Sequence, residues 1–348
     1  MKKDKGNKPV SRGRCPKCGM NVTNRQNFCE NCRKFVSPDF SELCEPGQVP
    51  DETLDAFLTE SLEAYREQQK GKAAKKHRRG KIMIWIGGFL ILTLLLAPIG
   101  AILVFKGLAD MMAANDMDQS CLTDEEIEDV IASYLVPVIL EDAFDQVLEY
   151  RHDKAFPSRM ILESSLMQKA YNEVEGSDYI KAVHKGLEVE MGDVELKYAS
   201  QKYAGLTESK SVFKGTFLTC LLDLRLPESV VIWEREGHED MGVGLATGNE
   251  AFDRQFYVES RHPETAAQVM TPQLIQQILH LDTVGDGQTT LKFMENGRLY
   301  LAIASEYDLF ELKKDGEDIA SIKERYRKEL QRILDLMTVL SEIKTSTN

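Results

Sequence analysis

Apolar residues recur along this chain in three different patterns, and each predicts a different kind of element. From Asp51 onward Leu54, Phe57, Leu58, Leu62 and Tyr65 return at three- and four-residue steps, with Asp51 or Thr53 placed to cap, so a helix with one apolar stripe is predicted. Between Ile82 and Phe105 the pattern vanishes into 24 residues without a charge. A helix of that length reaches about 36 Å, against about 30 Å for a hydrocarbon core, so a single transmembrane helix over 82–105 is the expectation. Past residue 120 short alternating runs and longer helical periods are mixed.

In that last region Thr123 to Glu126 reads as a capping box opening a helix that carries Ile127, Val130, Ile131, Tyr134 and Val138, with Pro137 set to kink or break it. Strands are predicted over 187–198, with Gly192-Asp193 as a candidate turn, and over 211–224, 229–235 and Phe256 to Ser260. Pro263 to Met270 reads as a short helix, and Thr271-Pro272 starts another that runs to about Leu281. Asn296-Gly297, between Thr289–Glu295 and Arg298–Ser305, marks a hairpin of type I′, which needs positive φ at both central residues. A helix from Ile319 to Ile343 keeps Ile322, Tyr326, Leu330, Ile333, Leu334, Met337 and Leu340 on one stripe, better suited to packing on a sheet than to a coiled coil, since its heptads are not strict. The expected class is α+β: a zinc ribbon, a single transmembrane helix, then a mixed domain with a largely antiparallel sheet and a long C-terminal helix.

Charge sharpens the division. Residues 1–81 hold 18 Lys and Arg against 11 Asp and Glu, net +7, whereas the remainder holds 25 against 45, net −20. Lys70, Lys72, Lys75, Lys76, Arg78, Arg79 and Lys81 precede the apolar run, while Asp110, Asp116 and Asp118 follow it. Basic flanks stay on the cytoplasmic side, so the lipid bilayer is an expected partner, with the N-terminus cytoplasmic and the C-terminal domain extracytoplasmic. A tail this acidic argues against nucleic-acid binding by that domain.

Four of the seven cysteines form Cys15-Pro-Lys-Cys18-Gly and Cys29-Glu-Asn-Cys32. Two C-x-x-C turns supply four thiolates to one tetrahedral ion, and Gly19 permits the tight turn, so a structural Zn2+ held by Cys15, Cys18, Cys29 and Cys32 is predicted. Four protein ligands leave no open position for substrate. Lys17, Arg25, Arg33 and Lys34 are the candidate phosphate contacts if such a ribbon met nucleic acid, but their scatter fits solubility better. The predicted organisation is a ribbon at 13–34, a helix and basic linker at 51–81, the span at 82–105 and an α+β domain at 121–343.

The order Gly176-Ser-Asp-Tyr179, Val212-Phe-Lys-Gly215-Thr-Phe217, Phe252-Asp-Arg-Gln-Phe256-Tyr-Val258, Met270-Thr-Pro272, Asn296-Gly297-Arg-Leu-Tyr300 and Asp308-Leu-Phe310 resembles a bacterial membrane family, domain of unknown function 3137, over roughly residues 125–343. The resemblance implies a membrane-attached α+β domain without an assigned activity or cofactor, so no catalytic residue carries over. Many members look as though they have two adjacent spans, where this sequence offers one.

Phosphate loops, nucleophile elbows and metalloprotease motifs are all missing from the sequence. Gly237-His-Glu-Asp240 is three adjacent ligand types that a loop seldom converges on one ion, and Glu306, Asp308 and Glu311 lack the spacing of a calcium loop. Cys44 reads as a free thiol, Cys121 and Cys220 as two separate thiols with a disulfide between them as the alternative if the domain lies outside, and His152, His184, His262 and His280 as dispersed. The functional expectation is therefore a membrane-anchored, non-enzymatic interaction or scaffold protein with protein partners; an enzyme with an unrecognised site in the C-terminal domain and a transmembrane metal or redox sensor are its rivals.

Overall fold

The computed structural model describes residues 13–22, 27–29, 31–64, 124–201, 207–235, 244–282, 288–312 and 317–343. The chain divides into two units, Met1–Ile131 with Lys314–Ile319, and Ala132–Lys313 with Ala320–Asn348.

In the first unit two short hairpins pair β1 (Gly13–Arg14) with β2 (Asn21–Val22) and β3 (Phe28–Cys29) with β4 (Lys34–Phe35), all antiparallel. Helix α1 follows at 51–64. Its predicted stripe is buried at Leu54, Phe57, Leu58 and Leu62, and Phe57 meets Phe28 and Phe35 with ring centroids 4.5 and 5.2 Å away. Phe57 thus ties the helix to the hairpins and completes an aromatic core with Phe28 and Phe35.

The second unit is built on one eight-stranded sheet in the order β10-β9-β11-β12-β8-β7-β6-β5, every pair antiparallel. Its strands are β5 (Gln146–Arg151), β6 (Glu173–His184), β7 (Leu187–Gln201), β8 (Thr207–Leu221), β9 (Val230–Glu234), β10 (Phe256–Glu259), β11 (Thr289–Phe293) and β12 (Arg298–Ala304). Helices α2 (Asp124–Val130), α3 (Val136–Ala143), α4 (Ser158–Ser164), α5 (Glu250–Gln255), α6 (Pro263–Val269), α7 (Pro272–Asp282) and α8 (Ile319–Glu342) complete the described elements; α2 falls in the first unit. One sheet face packs Tyr179, Val194, Leu196, Phe217, Val231, Trp233, Tyr300 and Ala302 against Phe156, Ile161 and Leu166 of the α4 region. Strand alternation sends Ile180, Met191, Leu218, Cys220, Leu299 and Leu301 to the opposite face, where His184 of β6 meets Thr338 of α8. All seven stripe residues of α8 are buried, which favours packing within the chain over a coiled-coil seam.

The α+β class with a large antiparallel sheet and a long C-terminal helix stands, but the single transmembrane helix does not. Among the described residues no helix is long and apolar enough to cross a membrane. The 24 residues of α8 have the length, but Lys323, Glu324, Arg325, Arg327 and Lys328 interrupt its apolar surface. Residues 82–105 themselves lie outside the described set, as do Cys121 and Gly237–Asp240. The single-pass localisation and its assigned sidedness rested on that span and are withdrawn with it.

Three local expectations also change. Gly192-Asp193 is no turn: β7 runs straight through it, and β6 bulges opposite, between Ser177 and Ile180. Pro137 does not end the helical run. It interrupts that run instead, sitting in the first turn of α3 directly after a π turn over Ile131–Leu135, the local departure from α geometry expected beside a proline. The Asn296-Gly297 hairpin forms, yet only Gly297 takes positive φ, at 86°. Gly297 N donates to Met294 O at 3.0 Å and Met294 N to Arg298 O at 2.8 Å, a type I turn closed by a glycine bulge rather than type I′.

Candidate metal centre

Each C-x-x-C motif bridges the end of one short strand and the turn after it. Gly19 N donates to Cys15 O at 2.9 Å and Cys15 N to Met20 O at 2.8 Å, folding the first turn tightly. Gly19 sits at φ 72°, the conformation for which a glycine is the least costly residue. The second turn has Arg33 at the matching place, also left-handed at φ 50°, and carries the steric cost that Gly19 avoids.

These turns bring the four sulfurs within 4.8 Å of one another. Cys15 Sγ lies 3.7 Å from Cys32 Sγ, and Cys18 Sγ 3.6 Å from Cys29 Sγ. A tetrahedron with metal–sulfur bonds of about 2.3 Å has edges of about 3.8 Å, whereas a disulfide needs about 2.05 Å. The cluster therefore has the dimensions of a four-thiolate metal site, and all four residues are free thiols. Cys15 and Cys29 are buried, while Cys18 and Cys32 are half-buried.

The Met20 backbone N–H holds the Cys18 thiol down at about 6. Hydrogen bonding to the Cys18 sulfur pushes Cys32 up to about 12, and burial pushes Cys29 up. Thiolates this close would repel one another, and a divalent ion at their centre would offset that repulsion. The four predicted ligands are thus brought together in a site that could hold a metal ion. Cys44 is not part of that cluster, and burial together with Glu42, Asp39 and Glu45 pushes its thiol up.

In the second unit the sequence reading missed a buried polar network. Asp193 accepts from Thr216 Oγ1 at 2.8 Å and from Leu309 N at 2.8 Å, and is 2% exposed. Burial, with Asp308 and Asp178 nearby, pushes its carboxyl up to about 8. Asp178, left-handed at φ 55° in the β6 bulge, accepts from Tyr150 Oη at 2.7 Å and pairs with His152 Nδ1 at 3.0 Å. Asp308 and Glu311 do gather round a cation, but it is the Lys214 ammonium, 3.2 Å from Asp308 and 3.9 Å from Glu311, and Glu306 contributes only its backbone oxygen, at 3.0 Å. Cys220 is a buried free thiol in β8, pushed up to about 12 by burial. The histidines stay apart: His184 donates towards Thr338, and His262 pairs with Glu228 at 3.2 Å.

Residues 211–342 match the profile of a family described as "Protein of unknown function (DUF3137)", a shorter stretch than the 125–343 over which the sequence resemblance was read. No curated protein matches the chain. Among solved structures, the crystal structure of the mycobacterial trehalose monomycolate transport factor A, TtfA, is similar at 12% identity, covering 58% of this chain and 91% of that one with a TM-score of 0.30. A likeness that loose carries nothing further about fold or function.

Proposed function

We propose that the protein is a non-enzymatic interaction or scaffold protein in which Cys15, Cys18, Cys29 and Cys32 hold one structural Zn2+ and the two units each meet a protein partner. The observation that carries the reading is the four-thiol cluster, with sulfur pairs 3.6 and 3.7 Å apart. Four thiolates in tetrahedral reach favour zinc among common divalent ions, and protein sulfur fills every coordination position, so the ion supplies folding energy and no reactive site. The ion would hold two hairpins of two-residue strands that have little core of their own beyond Phe28, Phe35 and Phe57.

The test is metal analysis of the purified full chain together with a comparison of crosslinked partners for the wild type and Cys15→Ser. One zinc per chain in the wild type, none in the variant, and a partner set that changes only for the first unit are the expected results. Absence of zinc, or no specific partner for either unit, would refute the proposal. One observation favours a rival enzyme reading: the buried Asp178 carboxylate grips the half-exposed His152 ring at a left-handed backbone position. Activity lost on His152→Ala and restored by no other change would support it.

A further inference from the structure

Phe40 does something that a loop phenylalanine has little intrinsic reason to do. Its backbone is left-handed, at φ 59°, a region that costs a bulky residue about 1 kcal/mol or more. Its half-buried ring packs against the cluster formed by Cys15, Val22, Cys29 and Val36. The ring presses so closely on β1 that a Cβ built on Gly13 would lie 2.5 Å from Phe40 Cδ1, so the position facing it must lack a side chain.

A dense set of hydrogen bonds holds the loop in this conformation. Ser37 Oγ and Ser41 Oγ donate to Asp39 Oδ1 at 2.6 and 2.7 Å, and Ser41 N donates to the same oxygen at 3.2 Å. Phe40 N donates to Ser37 O at 2.8 Å, and Ser37 N to Glu42 O at 3.0 Å. An isolated antiparallel bridge between Val36 and Leu43 closes the base. Asp39 therefore stands at the centre of a clasp whose product is the placement of one aromatic ring.

We propose that Phe40 is a lid over the buried, Cys15–Cys29 side of the four-cysteine centre, and that the Asp39 clasp keeps it shut so that a bound metal ion is lost only slowly. The inference rests on the reading that these cysteines hold zinc. Removal of a metal from a closed thiolate site needs an incoming ligand, a chelator or a competing thiol, to reach the ion or to displace a sulfur. Cys18 and Cys32 are half-buried and open to that approach, while Cys15 and Cys29, at 2% and 1% exposure, are covered. With the lid in place, attack is restricted to one side of the tetrahedron. Phe40 is thus a positioning residue for metal retention, supplying no ligand atom itself.

The experiment measures zinc transfer from the full-length protein to excess EDTA, with stoichiometry determined first for each variant. Phe40→Ala is expected to bind one zinc and release it about tenfold faster or more, equivalent to about 1.4 kcal/mol off the barrier. Asp39→Ala, which leaves the ring but opens the clasp, should accelerate release to a smaller extent. A wild type that binds no metal would defeat both the metal reading and the lid. A wild type that holds zinc while both variants release it at the wild-type rate would overturn the lid and leave the metal reading standing. If Phe40→Ala fails to fold, Asp39→Ala decides: an unchanged rate overturns the lid, and a faster one supports it.

Discussion

Asp193→Asn should make the protein more stable at alkaline pH and leave it nearly unchanged at pH 4. The carboxyl is 2% exposed, accepts from Thr216 and Leu309, and has Asp308 and Asp178 as its acidic neighbours on the adjoining segments, with Tyr150 from β5 nearby. Lys214, the nearby ammonium, is already engaged by Asp308. Burial raises the folded-state value from 3.8 to about 8. A raised carboxyl binds its proton more tightly when folded, so its stabilising contribution is complete below the unfolded value and is lost as pH climbs through the folded one. At about 1.4 kcal/mol per pH unit the loss between pH 4 and pH 8 has a ceiling of about 6 kcal/mol; water entry and relaxation bring the expectation to about 2–4 kcal/mol.

The neutral acid fits the geometry as well as the ion does. With Oδ1 protonated, Asp193 donates to Thr216 Oγ1 while Oδ2 still accepts from Leu309 N, and an asparagine amide reproduces both bonds. Urea unfolding of both proteins from pH 4 to pH 9 is the assay. The wild-type midpoint should fall with rising pH, and the two curves should separate mainly between pH 5 and 8. Equal pH dependence for wild type and variant, or an asparagine variant less stable throughout, would refute the reasoning.

Gly297→Ala should destabilise the second unit by about 2–3 kcal/mol in the same assay, because the residue needs φ 86° and its new Cβ would meet Leu224 O at 2.4 Å. Phe57→Ala should cost about 3 kcal/mol and unfold α1 from the hairpins, read by loss of near-ultraviolet dichroism, since Phe57 holds Phe28 and Phe35 together. His184→Gln should remove an acid-side loss of stability: burial lowers the folded His184 value below 6.5, so its contribution is present above that pH and disappears as pH falls through the folded value. A wild-type stability that stays flat between pH 7 and 5 while His184 titrates by NMR would contradict this.

The four-cysteine cluster was legible because its signal is local. Two C-x-x-C motifs fix two turns whatever the rest of the chain does, and the four sulfurs meet as their spacing predicts. The hairpin at Asn296-Gly297 and the stripe of α8 were legible for the same reason. β5 and β6 were not, since each carries a bulge, at Val147/Glu149 and Ser177/Ile180, that breaks the two-residue alternation on which a strand is recognised. Asp193 was misread because Gly-Asp is turn chemistry, yet a signal was present: Leu187, Val189, Met191 and residue 193 share one face of a strand, so the aspartate stands at a core position. Phe40 gave no sequence signal at all. Its importance comes from a left-handed backbone and a neighbouring Gly13, and neither can be paired with the other before the fold is known.

The two titrating groups bear on one element from opposite ends. Asp193 holds Leu309 N, and the next residues are tied to the N-terminal half of α8, with Tyr326 Oη donating to Phe310 O at 2.6 Å and Arg325 Nη2 to Glu311 O at 3.0 Å. His184 Nε2 lies 2.9 Å from Thr338 Oγ1 near the other end. The Thr338 hydroxyl proton is committed to Leu334 O at 2.9 Å, so His184 must be the donor, its Nδ1 is left as a bare lone pair, and that atom is buried without a partner. Protonating Nδ1 buries both a charge and an unmet donor; Asp145, the Leu334 backbone and Asp335 favour the charge, Lys185 opposes it, and burial outweighs the sum. Alkali should therefore loosen α8 first around residues 320–327, and acid first around 334–342. Amide protection factors measured at pH 5, 7 and 9 separate this from a helix that undocks as a whole, in which both stretches would lose protection together at each extreme.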